Sequence, residues 1–402
     1  MKTLVLAPFL PFPEDMGMRI KLAKLMMAMG RENVFLLAFR EERERIPEEE
    51  LKKICSDFWI FPRPQITRCQ FWSNHFSLKP LLVSRFFSPE AARTVSFLVE
   101  TKEIEAVLFE SLLMAPYLNY IKRAITIYHA HNIETIRAKR RAHQAFSFGP
   151  KIYYYLIAWR FNFYETRTLK KFDYLLACSS LDKAILEQMT GKKEIFVLPN
   201  IIDTDFFRPI HQARDPYLLI FLGTLWYQPN EEAAIYFLQE ILPLLARSFP
   251  AIRLEIIGEG ASPRLIHLAA KWGHRVKILG KVEDIRPYLA RAGALVAPIL
   301  SGSGTRTKIL TALAMELPVI STSIGCEGLE VEDGQNILVA DKPIEFREKI
   351  GQLISDPELR ERLARNGRTL VEKNHSPQIL QKSWLEIQQQ IGGEMGKKIK
   401  RN

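Results

Sequence analysis

The sequence predicts an α/β protein built as two doubly wound parallel-sheet domains. Three observations carry that expectation. A chain of 402 residues is too long for one hydrophobic core and suits two. Apolar strand-like runs alternate with helical periods along the whole length, the pattern of a parallel sheet covered by helices on both faces. A hydrophobic content of 47% excludes a disordered chain, while no apolar run approaches the roughly 20 residues needed to cross a bilayer.

Taken in order, the first apolar run, Thr3–Ala7, reads as a buried strand. MKTLVLAPFLPF has the charge and apolarity of a short signal peptide, but Pro8, Pro11 and Pro13 interrupt it and no small-residue cleavage site follows. A cytoplasmic protein is therefore expected. A helical period over Met18–Gly30 and a strand at Val34–Ala38 come next. Gly17 precedes that helix in the loop beyond the first strand, where a glycine lets backbone approach a ligand or simply makes a turn. Four cysteines, Cys55, Cys69, Cys178 and Cys326, form no C-x-x-C pair, so buried free thiols are expected rather than disulfides or zinc.

Further strands are expected at Ala106–Phe109 and Ala124–His129. The second runs into His129, Ala130, His131, Asn132 and Glu134. His129 and His131 share one face of an extended segment, yet a metal site needs about three protein ligands and no third is adjacent in sequence. A crevice-facing histidine at a strand end suits proton handling or hydrogen bonding, and capping the strand is the plain alternative. From Thr135 to Lys171 there are nine basic residues, among them Arg137, Arg140 and Arg141, against one acid, Glu165. That excess of eight is most of the net charge of +11. Aromatics are interleaved: Phe146, Phe148, Tyr153, Tyr154, Tyr155, Trp159, Phe161, Phe163 and Tyr164. The combination suits an anionic membrane surface or a lipid-linked diphosphate acceptor; nucleic acid ranks lower, since no recognition-motif signature accompanies it. Packed aromatics beneath a solvated basic face are the alternative.

A strand at Asp173–Ser179, a helix at Leu181–Thr190 with Ser180 as N-cap, and a strand at Ile195–Leu198 complete the first half. Pro209 and Pro216 mark a linker near 205–216. The second alternation opens with a strand at Tyr217–Leu222, Gly223, and a helix over Glu231–Phe249. Strands at Arg253–Ile257 and Val276–Leu279 run into glycine turns at Gly258 and Gly280. The most informative stretch is Ala294–Gly328. It reads as a strand over Ala294–Ile299, a glycine- and hydroxyl-rich turn over Ser301–Thr305, a helix through Glu316, and a strand over Pro318–Ser321. Arg306 and Lys308 fall in the first helical turn, where cations oppose the helix dipole unless an anion binds there. A phosphate or diphosphate cradle is one reading, and an ordinary connection with solvated cations the other. The pattern matches neither the P-loop nor G-x-G-x-x-G.

These segments together resemble the nucleotide-sugar site of GT-B glycosyltransferases, in particular the large retaining family 4 and its GSGTRxK-type subgroup. PFLPFPEDMGMRIKLAKLM, HNIE (131–134), PNIIDTDFF (199–207), FLGTLWYQPNEEA (221–233), IIGEG (256–260), GKVEDIRPYLARAGALVAPI (280–299) and SGSGTRTKIL carry the likeness in the family's order and spacing. It implies two Rossmann-like domains facing a central cleft. An acceptor-side domain would span 1–205 and a donor domain 206–376, a terminal helix at 377–391 would return to the first domain, and a basic tail would occupy 392–402. It implies His131 near the anomeric carbon and Arg306 and Lys308 on the diphosphate. The donor would also meet Gly17, Gly223, Asn230, Gly258, Val282 (at the base), Ser303, Gly304, Thr305, Thr311 and Glu327, with no metal or other cofactor. Ser303 and Thr311 stand where the family has paired glutamates, Glu316 where it has glycine, and Trp226 and Tyr227 where many relatives carry Arg and Lys. The expected activity is metal-independent, retaining sugar transfer to a polysaccharide, lipid-linked or small-molecule acceptor, at the inner face of a membrane if the basic face docks there. A catalytically silent sugar- or nucleotide-binding partner of a glycan assembly complex is the second expectation.

Overall fold

The protein is described by a computed structural model over residues 1–13, 17–64, 77–144, 148–302 and 304–399. It divides into two compact units, Met1–Asn200 with Gln378–Asn402, and Ile201–Pro377. The boundary precedes the expected 205/206. Ile202 is already buried in the second core, and Arg368 donates to the carbonyls of Thr204 (3.0 Å) and Phe207 (2.7 Å), which ties this segment to the second unit.

In the first unit the strands are β1 (Thr3–Ala7), β2 (Val34–Arg40), β3 (Asp57–Pro62), β4 (Ala106–Phe109), β5 (Ile125–Ala130), β6 (Tyr174–Ala177) and β7 (Ile195–Val197). They form one parallel sheet in the order β3-β2-β1-β4-β5-β6-β7. In the second unit β8 (Asp215–Leu222), β9 (Arg253–Ile257), β10 (Val276–Gly280), β11 (Ala292–Ala297), β12 (Val319–Ser321) and β13 (Leu338–Val339) form a parallel sheet ordered β10-β9-β8-β11-β12-β13. The central strands β1 and β11 are buried along their whole length, as helices on both faces require. Each sheet reverses its winding beside its first strand, between β1 and β4 and between β8 and β11. In open parallel sheets the loops that leave the carboxyl ends at such a point part to opposite faces, the usual place for a ligand.

The helices that matter below are α1 (Gly17–Met29), α2 (Glu134–Gln144), α3 (Phe148–Leu169), α4 (Thr307–Ala314), α5 (Pro357–Asn374) and α6 (Pro377–Ile399). Several edges differ from expectation. The helix after β6 is capped by Ser179, whose hydroxyl accepts from the Asp182 amide, so Ser180 is already helical. β11 ends at Ala297 rather than Ile299, because Pro298 has no N–H for the ladder. The helix starting at Gln228 passes through a π turn at Phe237–Ile241 ahead of Pro243, which lacks a helical donor. α6 continues to Ile399, past the expected end at Ile391, because no proline follows Pro377 to stop it. Cys55, Cys178 and Cys326 are buried free thiols, and Cys69 lies outside the described residues.

α6 belongs to the first unit and buries Leu380, Trp384, Ile387 and Ile391. Trp384 is its anchor, with no solvent exposure. Trp384→Ala should lower the unfolding free energy of the first unit by about 3–5 kcal/mol, read from denaturant unfolding.

Candidate functional site

Parallel register assembles the first polar cluster. Phe109 pairs with Tyr128, so Glu110, one residue further, comes opposite His129. Ala130 pairs with Ala177, so Cys178 comes opposite His131. Four chemically active residues that directly follow or end apolar runs are thereby gathered at one sheet edge. Glu110 is fully buried. Its carboxylate oxygens lie 3.1 and 3.2 Å from His129 Nδ1, and Oε2 lies 2.6 Å from His131 Nε2. The two imidazoles are 4.2 Å apart between centroids. From α1, Lys21 is buried to 1% exposure and donates to the Leu198 carbonyl at 2.8 Å and to Cys178 Sγ at 3.3 Å.

The charges respond to one another. Burial pushes the Glu110 carboxyl up, but the two histidines outweigh it and hold the group well below the carboxylate range. Burial likewise works to raise the Cys178 thiol, and the Lys21 ammonium and both imidazoles more than reverse it. Cys178 Sγ also lies 3.3 Å from the Ala130 carbonyl, a contact a thiol would make as donor. The ammonium in contact with sulfur favours the thiolate. His131, lowered by burial but raised more strongly by Cys178 and Glu110, reaches about 9.

The third donor absent from the local sequence is thus Cys178. Ligand atoms of His129, His131 and Cys178 lie within 4.8 Å of one another, a spacing compatible with an ion. The Lys21 ammonium already supplies positive charge at the sulfur, and Glu110 supplies the counter-charge to the imidazoles. Glu110, Cys178 and Lys21 were not singled out from sequence. The available signal was a polar residue directly after an apolar strand, as in AVLF-Glu110 and YLLA-Cys178. Gly17 is the first residue of α1, and it is Lys21, one turn on, that enters the cluster.

The second cluster sits at the β8/β11 switch point. Lys308, in the first turn of α4, donates to Asn230 Oδ1 at 2.7 Å, and Asn230 Nδ2 donates to the Thr224 carbonyl at 2.9 Å. The Lys308 ammonium also sits 5.0 Å from the Phe221 ring centroid. Burial, then the nearby Arg306, lowers Lys308 to about 7. Burial makes the ammonium costly as a charge, and a bound anion would favour its charged form. Arg306 is the N-cap of α4 in extended conformation, and its guanidinium donates to the carbonyls of Gly304 and, at 3.3 Å, Ser301. It therefore folds over its own loop. A Cβ at Gly223 would lie 2.6 Å from Lys308 Nζ and 2.8 Å from Asn230, so the absent side chain is what lets both reach the strand end.

Other expected donor residues have structural duties. A Cβ on Gly258 would run into the Gly223 carbonyl, and the Gly258 amide donates to the Gly280 carbonyl at 2.8 Å. Gly258 thus locks neighbouring strand ends together. Val282 packs against the second core, Thr305 is buried, and Glu327 is half-buried in the turn after β12. The Thr311 hydroxyl donates to the Thr307 carbonyl at 2.9 Å within α4, so its proton is engaged in the helix. Gly304 lies beside Ser303, which is outside the described residues.

In the basic stretch, Arg137 pairs with Glu134 at 2.7 Å, Arg141 lies 4.7 Å over the Tyr154 ring, and Arg140 is half-buried. Its one acid, Glu165, is buried at the start of α2, where it accepts from the amides of Glu134 (3.0 Å) and Thr135 (2.9 Å). Burial outweighs those bonds and raises Glu165 to about 7. Ile152, Tyr153, Tyr155, Leu156 and Trp159 of α3 are exposed, whereas Phe161 is buried. The aromatics divide between surface and core. Phe146 and the side chain of Phe148 lie outside the described residues.

Gly258→Ala should destabilise the second unit by about 1–3 kcal/mol, because rigid backbone cannot yield to the new Cβ. Gly280→Ala, with open space but a φ of +70°, should cost only about 1–2 kcal/mol. Chemical unfolding of the two variants orders these effects.

Residues 216–356 match the family described as glycosyl transferases group 1. Over 393 residues, 93% of this chain and 96% of the other, the protein is 23% identical to an uncharacterized 44.6 kDa protein in the cps region of Klebsiella pneumoniae. A phosphatidyl-myo-inositol mannosyltransferase of Mycobacterium tuberculosis is 26% identical over 144 residues, 34% of this chain and 37% of that one. Anabaena Alr3699/HepE, solved in complex with UDP-glucose, superposes with a TM-score of 0.68 at 13% identity, covering 97% of this chain and 99% of that one. The two parallel sheets of this order give the chain the GT-B fold of that structure, and the unit that carries the cation and glycine cluster is the one that matches glycosyl transferases group 1.

Proposed function

We propose that the protein transfers a sugar, with retention of configuration, from a nucleoside diphosphate sugar to a polysaccharide, lipid-linked or small-molecule acceptor, and that it does so without a metal, as a family 4 enzyme of the GSGTRxK-type subgroup. The observation that carries this reading is the Lys308–Asn230–Gly223 arrangement at the β8/β11 switch point, with Arg306 at the head of α4. Breaking the anomeric C–O bond moves an electron pair onto the departing diphosphate. Fixed positive groups at those oxygens then supply the largest catalytic contribution. Lys308 and Arg306, with the amides of Gly304 and Thr305, take that role. His131, at the carboxyl edge of the first sheet, takes the sugar-handling role. UDP is the first nucleotide to test, since the Anabaena protein was solved with UDP-glucose.

Arg306→Ala should lower kcat/KM for UDP-sugar turnover by about 10²–10³-fold. Binding without turnover of any common nucleotide sugar would instead favour a silent binding partner, a reading supported by the engaged Thr311 hydroxyl. Because Lys308 is lowered to about 7, it is mostly neutral in the free protein at pH 8, and a diphosphate would recharge it. Binding of UDP near pH 8 should therefore take up about one proton, and affinity should fall roughly tenfold per pH unit above 7. Calorimetry in buffers of different ionisation enthalpy measures the uptake, and Lys308→Met should abolish it.

A second site claim rests on α3. Exposed Ile152, Tyr153, Tyr155, Leu156 and Trp159, in the same basic stretch as Arg140 and Arg141, suit insertion at an anionic membrane surface. No described helix is long and apolar enough to cross a membrane. Flotation with phosphatidylglycerol vesicles should fall several-fold in the Arg140→Glu/Arg141→Glu variant, and unchanged flotation would remove the membrane role.

A further inference from the structure

We infer that the Tyr227 hydroxyl is a further donor-site group: reaching from the loop after β8 to the loop after β11, it donates a hydrogen bond to a phosphate oxygen of the donor diphosphate beside Arg306. This rests on the diphosphate role proposed above for Arg306 and Lys308.

The backbone fixes where the side chain starts. Leu225 is fully buried, and its amide donates to the Glu259 carbonyl at 2.7 Å, which pins the loop after β8 to the end of β9. The Tyr227 amide donates to the Thr224 carbonyl at 3.3 Å, and the Tyr227 carbonyl accepts from the Asn230 amide at 2.9 Å. Tyr227 is thereby held at the tip of a closed turn, as N-cap of the helix that starts at Gln228. That position favours Ser, Thr, Asp or Asn, whose short side chains bond back to the helix amides. Tyrosine makes no such bond here, so the local helix does not account for it.

The phenol instead crosses to the neighbouring strand end. A Cβ on Gly302 would stand 3.7 Å from the Tyr227 hydroxyl oxygen and 2.9 Å from Arg306 Nη2, so phenol and guanidinium approach the same point. Gly302 has a φ of +106° and no side chain, which keeps that point open. β8 and β11 are the strands beside which the second sheet reverses its winding, the usual ligand position of an open parallel sheet. Tyr227 is 37% exposed, and its hydroxyl makes no hydrogen bond among the described residues. An O–H left to donate, set beside a guanidinium, suits an anionic oxygen. The other arm of the site is Lys308 with Asn230 at the end of β8. Two arms at adjacent strand ends suit two phosphoryl groups of one ligand. A neutral phenol adds a directed bond there without adding a third positive charge.

The test is calorimetric titration of the full chain with inorganic pyrophosphate and with UDP, for the wild type, Tyr227→Phe, Tyr227→Lys and, as a control, Lys308→Met. Pyrophosphate carries neither base nor sugar, so it reads the cradle alone. Tyr227→Phe removes one oxygen from an exposed ring, and its melting temperature without ligand should match that of the wild type. Its Kd for both ligands should rise about 10- to 100-fold, the loss of a hydrogen bond to a charged group. Tyr227→Lys should keep or tighten pyrophosphate binding and make it fall more steeply with salt. Unchanged affinity in Tyr227→Phe, with binding lost in Lys308→Met, overturns the inference and leaves the diphosphate reading standing. If Tyr227→Phe fails to fold, Tyr227→Lys decides, and loss of binding in that folded variant overturns the inference. A wild-type protein that binds neither pyrophosphate nor UDP defeats both the inference and the reading beneath it.

Discussion

The alignment of strand ends in a parallel sheet is the constraint on which both clusters depend. Every strand delivers its last residue to the same edge, and whatever follows an apolar run is delivered there too. In the first unit this places Glu110, His129, His131 and Cys178 shoulder to shoulder, although Glu110 follows β4 and Cys178 follows β6, with β5 between them in the sheet. Four polar groups at one buried edge are tolerable only if they satisfy one another. The carboxylate between two imidazoles and the ammonium on the sulfur do so.

The second unit uses the same edge differently. Its strand ends carry glycines, and the gain is close backbone approach. Gly258 fits against the Gly223 carbonyl, and Gly223 leaves room for Lys308 and Asn230. The result is a cation placed where burial strips its water and where a neutral amide and an aromatic face are its partners among the described residues. Such an ammonium is destabilised as a charge in the free protein, which is what suits it to the diphosphate role proposed for it.

Side chains with two plausible duties were divided by packing. Along α3 the aromatics face in both directions, so neither an all-surface nor an all-core reading holds. Arg306 partly neutralises the carbonyls of its own loop, an arrangement that orders the loop around the head of α4. The single acid of the basic stretch, Glu165, is an internal cap that ties α3 to the start of α2.

The sequence by itself determined the fold class and most strand positions, because alternating apolar runs and helical periods record local backbone preference and burial directly. It also determined that Lys308 heads a helix after a buried strand, since both signals lie within fifteen residues of chain, Ala294 to Lys308. Tertiary structure alone decided that Glu110, Cys178 and Lys21 join the histidines, because strand order and register are set by packing between distant segments. It likewise decided the ends of β11 and α6 and the boundary at Ile201, where a missing amide donor, the absence of a stop and the reach of Arg368 outweighed local pattern. What a residue is follows from the chain, but what charge it carries follows from its neighbours.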